Sequence, residues 1–236
     1  MQAQFSDYFE LLRAKHWYKN LILYFGLWYG LFVFKQDLDR TIFIESFLVF
    51  LLASLMSSSN YIINQITDSE FDKRHPVKKY RPLPSGRVFK LHAFYLSLAM
   101  AGFVFVLSSL FFSFEFNLAL LFLWIAGFLY NVKPIRLKDI PYVDVLSESV
   151  NNPIRFLLGW FLIQKIFPSF IILFLAWVAG AVLMTLKRYW EMRNYAGRLD
   201  IYRKTFSVYT KTSLLMMVFV YSLVCVIFLY LTYLKF

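Results

Sequence analysis

The chain has one cysteine, Cys225, in 236 residues, so no intrachain disulfide can form and cysteine usage is silent on redox compartment. Charge is scarce as well. Asp, Glu, Lys and Arg make up 17% of the chain, where a soluble domain carries about a quarter. Acids are the scarcer sign, 14 against 25 bases, leaving a formal net charge of +11. In a soluble protein that excess would suggest nucleic acid. Here 60% of residues are hydrophobic, 21% are aromatic and the mean hydropathy is +0.57. The charges come in clumps, and the stretches between them are long enough to cross a hydrocarbon core, which takes about 20 residues of helix. The basic excess therefore reads as positive-inside bias, with no nucleic-acid partner expected. Asp7, Glu10, Arg13, Lys15 and Lys19 all precede the first apolar run, which argues against a cleavable signal peptide.

Seven apolar runs follow: Leu21–Phe34, Ile42–Ile63, Leu91–Phe112, Phe116–Tyr130, Val143–Ile163, Phe167–Leu186 and Leu214–Leu234. The first and fourth are short, and Trp17, Tyr18 and Phe114 can extend them at the interface. Ahead of them Phe5, Tyr8, Phe9 and Leu12 keep helical spacing, as in a short amphipathic helix lying on the membrane surface. With the N-terminus inside, the inner segments hold 20 of the 25 Lys/Arg; the outer ones hold Lys35, Arg40, Lys165 and Lys235. The expected fold is an all-α integral membrane bundle of about seven spans, one domain over residues 1–236. Its N-terminus is expected to be cytoplasmic and its chemistry on the inner face.

The second run ends in Asn64-Gln-Ile-Thr-Asp68-Ser-Glu-Phe-Asp72. Asn64, Asp68 and Asp72 are four residues apart, so a continuing helix stacks them on one face, and Ser57 and Asn60 extend that stripe into the membrane. Clustered carboxylates repel each other and need a cation, and few carboxylates with room for phosphates suit Mg²⁺. A basic loop follows at once: Lys73-Arg74-His75-Pro-Val-Lys78-Lys79-Tyr80-Arg81-Pro-Leu-Pro-Ser85-Gly86-Arg87. Acids beside such cations are what a metal–diphosphate substrate requires. A solvated helix end with ordinary positive-inside residues accounts for the loop, but not for three in-register polar groups.

N-x-x-x-D-x-x-x-D at the end of a second span, followed by R-P-L-P-S-G, resembles the UbiA prenyltransferase superfamily. The resemblance implies that Asn64, Asp68 and Asp72 hold Mg²⁺ against a donor's diphosphate, with Asp68 and Asp72 catalytic. It implies by position that Lys73, Arg74 and Arg81 bind phosphate. Tyr130-Asn-Val-Lys133-Pro-Ile-Arg136-Leu-Lys138 is also similar to the superfamily, which adds Lys133 and Arg136. Members commonly have nine spans, which implies here a less enclosed lipid groove, or completion by a partner subunit or second copy. The localisation implied is a bacterial or archaeal inner or plasma membrane.

Downstream, Glu148, Asn151, Asn152 and Arg155 lie 4, 7, 8 and 11 residues after Asp144, on one helical face. Ionisable groups at membrane depth normally face a bundle interior or a wet cavity. Glu148 and Arg155 could pair through Asn151 or Asn152. The stripe is either a structural network or the wall of a substrate cavity, and its start at the inner face favours the wall.

After the sixth run comes Lys187-Arg188-Tyr189-Trp-Glu191-Met-Arg193-Asn-Tyr195. Lys187, Glu191 and Tyr195 share a face, and Lys187–Glu191 could be an exposed helix pair. Many superfamily members have a second Asp-rich motif here; this chain has Glu191, with Asp200 nine residues on. K-R-Y-x-E-x-R is similar to the polyprenyl-phosphate phosphoribosyltransferase branch, typified by the decaprenyl-phosphate enzyme. It implies roles for Lys187, Arg188 and Glu191 with two phosphorylated substrates, a diphosphate donor and an isoprenoid lipid phosphate or diphosphate. The acid- and amide-rich stripe fits instead prenyl transfer to an aromatic or other small acceptor. A non-catalytic transporter or lipid-binding protein would place charges near the midplane on repeated, broken helices, and no repeat is evident.

Overall fold

The computed structural model describes residues 4–194 and 204–234, and the described residues are helical with short connections. The helices are α1 (Phe5–Leu12), α2 (Ile22–Phe34), α3 (Arg40–Asp72), α4 (Lys90–Phe111), α5 (Phe114–Asn131), α6 (Val143–Ser149), α7 (Asn151–Trp160), α8 (Phe170–Asn194) and α9 (Lys211–Tyr233). A 3₁₀ segment, Ala14–Leu21, joins α1 to α2.

Five helices, α3, α4, α5, α8 and α9, are each long and apolar enough to cross a membrane. Their outward faces carry large apolar groups, such as Phe103 on α4, 57% exposed, and Phe219 on α9, 69% exposed. An apolar surface of that extent belongs against lipid rather than water. Asp39 caps α3, its Oδ1 accepting from the Ile42 amide at 2.7 Å. At 33 residues α3 runs about 50 Å, well past a hydrocarbon core of about 30 Å. The surplus carries Asn64–Asp72 beyond the apolar part.

The remaining two expected spans are not single long helices. Leu21–Phe34 yields α2, whose 13 residues cover about 20 Å, shorter than the core. Val143–Ile163 is divided: α6 ends at Ser149, α7 starts at Asn151 and stops at Trp160. Pro153 supplies the reason, because it has no amide to donate to the Ser149 carbonyl one turn back. The Asn151 side chain donates to the Glu148 carbonyl at 2.9 Å across the break.

α2 and α7 nearly touch backbone to backbone. A Cβ on Gly26 would sit 1.9 Å from the Phe156 carbonyl oxygen, and one on Gly159 would sit 1.8 Å from that of Leu23. Small residues that admit such an approach are the usual way membrane helices pack. The main core collects Val49, Leu52 and Met56 of α3 with Leu120 and Leu123 of α5 and Leu158 of α7. Serines stitch the helices: Ser59 to Ser97, and Ser54 and Ser57 to Asn20. α1 is amphipathic as expected, with Leu11 buried against the bundle and Phe5 and Phe9 exposed. Its Asp7 is paired with Arg87 of the basic loop, a contact that helical spacing alone does not reveal.

Candidate active site

The acidic stripe forms as one face of the projecting end of α3. Asp68 accepts from Arg136 Nη2 at 2.8 Å and from Lys138 Nζ at 2.7 Å. Asp72, almost fully buried, accepts from Arg81 Nη1 at 2.9 Å and lies 3.6 Å from Lys78 Nζ. Asn64 donates to Asn131, whose Oδ1 also accepts from Lys138 at 3.1 Å. Lys138, 5% exposed, therefore ties Asp68 to the Asn64–Asn131 pair. Asp68, Phe71, Asp72, Lys78, Arg136, Lys138, Asp139 and Lys204 line a cleft with about 70 Å³ of water-accessible volume.

Two carboxylates and an amide oxygen at one-turn intervals, ringed by cations, are a donor set that fits Mg²⁺. Among the described residues no three His, Cys, Asp or Glu side chains cluster to form an all-protein cage. A hard cation here would therefore take its other ligands from substrate phosphate and water, the arrangement usual for Mg²⁺.

The loop after α3 is shaped by His75, whose Nδ1 accepts from the amides of Val77 and Lys78, each at 3.1 Å. Burial, with Lys78 and Arg81 nearby, lowers its pKa to about 4, so it is neutral near pH 7. The phosphate-binding expectations divide. Arg81 and Arg136 meet the carboxylates, whereas Lys73 turns to Glu70 at 2.8 Å and Arg74 and Lys133 are exposed outside the cleft lining. Lys78, Lys138, Asn131 and Lys204 join the site unforeseen; the first three lay in the two loop motifs, but without the fold nothing ranked them above their neighbours.

A second polar cluster fills the bundle interior around Arg188, which is 0% exposed. Its Nε donates to Asp144 at 3.0 Å, Nη1 to Glu191 at 3.2 Å and Nη2 to Glu148 at 3.1 Å. Tyr130 donates to Glu148 at 2.9 Å, and Tyr209 donates to Asp144. Burial and the bond to Asp144 push the Tyr209 hydroxyl pKa up, so it stays a donor. Glu191 thus belongs to this cluster rather than to the acidic cleft, and its partner is Arg188 rather than Lys187. The guanidinium of Arg188 faces inward, and its neighbour one turn on follows it. Tyr195 and Asp200 lie outside the described residues.

The expected Glu148–Arg155 pairing does not form. Arg155 Nε donates to Asn20 at 2.8 Å, because the break at Val150 swings α7 toward α2 and the 3₁₀ segment. Glu148 instead takes Arg188 and Tyr130, with Lys19 Nζ at 3.8 Å. Asn151 is spent on its own backbone, and Asn152 packs against Gly180, where a Cβ would fall 1.8 Å from its amide nitrogen.

Comparison with known proteins places this arrangement. The model of the UbiA prenyltransferase family matches residues 22–236. A UbiA homolog from Archaeoglobus fulgidus, solved bound to GPP and Mg²⁺, superposes with a TM-score of 0.79 at 20% identity, covering 98% of this chain and 78% of that one. A decaprenyl-phosphate phosphoribosyltransferase from Mycolicibacterium smegmatis is 32% identical over 105 residues, 42% of this chain and 32% of that protein. The uncharacterized protein y4nM of Sinorhizobium fredii is 30% identical over 95 residues, 40% of this chain and 18% of that protein. The matches thus span a third or less of these curated relatives' length. With the family model covering most of the sequence and the fold agreeing along nearly all of it, the chain belongs to the UbiA prenyltransferase family.

Proposed function

We propose that the chain is a Mg²⁺-dependent integral membrane transferase whose donor diphosphate sits in the cleft at the end of α3. The observation that carries this reading is that Asp68 and Asp72 are each met by two cations, one pair from the loop after α5 and the other from the loop after α3. A metal bound at Asn64, Asp68 and Asp72 would supply charge to the diphosphate as its bond to carbon breaks. Arg81, Lys78, Arg136 and Lys138 are placed to take the remaining phosphate oxygens. Donors fixed in advance around a departing anion lower the barrier without reorganising. The Asn131–Lys138 link holds Asp68 in register while the donor exchanges. The concentration of Lys and Arg on the segments around the cleft supports a cytoplasmic-facing site with the N-terminus inside.

Within this class the reading favoured is transfer of a 5-phosphoribosyl group from phosphoribosyl pyrophosphate to a polyprenyl phosphate. Its support is the Lys187–Arg193 segment and the partial identity with the decaprenyl-phosphate enzyme. The second reading, prenyl transfer from a polyprenyl diphosphate to a small acceptor, is supported by the neighbour solved with GPP. Membranes holding the protein would be given labelled phosphoribosyl pyrophosphate with polyprenyl phosphate, or prenyl diphosphate with aromatic acceptors. Each pair is run with Mg²⁺ and with EDTA. Phosphoribosyl product with Mg²⁺ alone is expected; product from neither pair would remove the catalytic reading.

A further inference from the structure

The basic loop between α3 and α4 has little regular structure beyond a 3₁₀ turn at Lys78–Tyr80. Pro76, Pro82 and Pro84 offer no amide, so the loop's shape depends on side-chain partners for its backbone. His75 shapes the first half, and Arg87 holds the second. Arg87 Nη2 donates to the Tyr80 carbonyl at 2.7 Å, and its Nε donates to Ser85 Oγ at 3.1 Å. Ser85 Oγ in turn donates to the Arg81 carbonyl at 2.7 Å. The carbonyls on both sides of Arg81 are thus tied to one guanidinium, directly or through one hydroxyl.

That guanidinium is itself braced from α1. Its Nη1 donates to Asp7, and its Nη2 lies 3.2 Å from Glu10. Asp7 is 4% exposed, and its other oxygen accepts from the Gln4 amide at 3.0 Å. α1 is in turn fixed to α3, the helix that ends in Asp72. Gln65 donates to the Leu11 carbonyl at 2.9 Å and Ser58 to the Leu12 carbonyl at 2.8 Å, groups that a helix end leaves without partners of its own. Leu11 is fully buried in one apolar cluster with Ile62 of α3 and Leu83 and Val88 of the loop. Arg87 is not among the residues lining the cleft, so it can serve a ligand there only through the loop.

We propose that Arg87 is a positioning residue for the donor diphosphate: braced by Asp7 and Glu10 of α1, it fixes the peptide groups on both sides of Arg81 and so aims the Arg81 guanidinium at Asp72 and the phosphate beside it. The inference rests on the donor-diphosphate reading of the cleft and deepens it. Arg81 donates to Asp72 at 2.9 Å with no ligand bound, so its place is set by the protein. A side chain held in advance loses no further freedom when the anion arrives. Arginine suits the brace because one planar fork of five donors meets Asp7, Glu10, Tyr80 and Ser85 together. A single ammonium on a flexible stem cannot span them.

The test uses the full chain in nanodiscs, with inorganic pyrophosphate titrated in the presence of Mg²⁺ as the probe of the cleft. Wild type is compared with Arg87→Met, Arg87→Lys, Asp7→Asn/Glu10→Gln, Arg81→Met and Arg81→Met/Arg87→Met. Arg81→Met should weaken binding about tenfold, and Arg87→Met nearly as much, since a misaimed group is worth little more than a missing one. Because the two act in series, the double variant should lie within about twofold of Arg81→Met alone. Arg87→Lys should stay close to Arg87→Met. The α1 variant keeps Arg87 but weakens its braces, and its binding should fall about threefold. Amide exchange across residues 78–88, read by mass spectrometry, should quicken in Arg87→Met and in the α1 variant but not in Arg81→Met.

Pyrophosphate binding unchanged in Arg87→Met, or restored by Arg87→Lys, would overturn the proposal, the second because charge alone would then suffice. Losses that add in the double variant would overturn it too, since Arg87 would be acting apart from Arg81. Should Arg87→Met fail to accumulate as monodisperse protein, the α1 variant decides: wild-type binding and exchange there sink the brace. If Arg81→Met weakens binding while Arg87→Met leaves binding and exchange as in wild type, the brace falls and the donor reading stands. If no protein binds pyrophosphate while exchange still quickens in Arg87→Met, the donor reading falls and the brace stands as a support of the loop alone.

Discussion

Asp68 and Arg188 represent two kinds of charged residue in this protein. Asp68 sits partly exposed at the cleft, and its partners Arg136 and Lys138 come from the loop after α5. Replacing it or Asp72 with asparagine keeps the shape and removes the charge a metal needs. Turnover is expected to fall at least about a hundredfold in either variant, with the amount of protein in the membrane unchanged. Full activity in both would remove the metal assignment. Arg188 is different, since its removal takes the guanidinium away from the fully buried Asp144 carboxylate. Arg188→Met is expected to cost about 3–5 kcal/mol, read as a large drop in melting temperature in detergent. The asymmetry also explains what could be read from sequence. Asn64, Asp68 and Asp72 are visible because a single helix sets their register. Arg188, Asp144, Tyr130 and Tyr209 come from three helices and a loop, and no spacing rule joins them.

At the level of elements, hydropathy located the apolar segments well, because burial in lipid demands long apolar runs whatever their packing. It concealed the break at Val150, since an apolar run looks the same with or without a turn inside it. The α2–α7 contact was equally hidden. Gly26 and Gly159 are unremarkable until the helices are laid together. Gly159→Val would force its branched side chain into the Leu23 carbonyl, and little monodisperse protein is expected on gel filtration after solubilisation.

The basic loop after α3 has its own pH dependence through His75. The folded loop holds His75 neutral with a pKa of about 4, below its ordinary 6.5. Its contribution is therefore complete above about pH 6.5 and is lost as the pH falls toward 4. Protease protection of residues 73–90 should decline over that window, and the decline should flatten in His75→Ala.

The molecule as a whole is asymmetric across its long axis, with cation-rich loops at one end and short links at the other. In a Cys225→Ser background, Ser85→Cys is expected to react with an impermeant maleimide only when the inner face is opened. Gln36→Cys should react from outside in intact cells. The reverse pattern would invert the orientation and with it the side from which donor arrives. The family was legible because its motif lies within one helix and one loop, while its ligand preference depends on how distant segments meet.

Closing three acids over Arg188 has a consequence for how such a protein can change. The salt-bridged hub bears the cost of burying charge, while Lys19 and Glu191, each partly exposed, stand at its rim. Exchange at the rim is expected to be tolerated better than exchange inside the hub, where a partner's loss leaves charge buried. Position 188 has no such freedom, so variation among descendants of this sequence should gather at the rim and spare the hub.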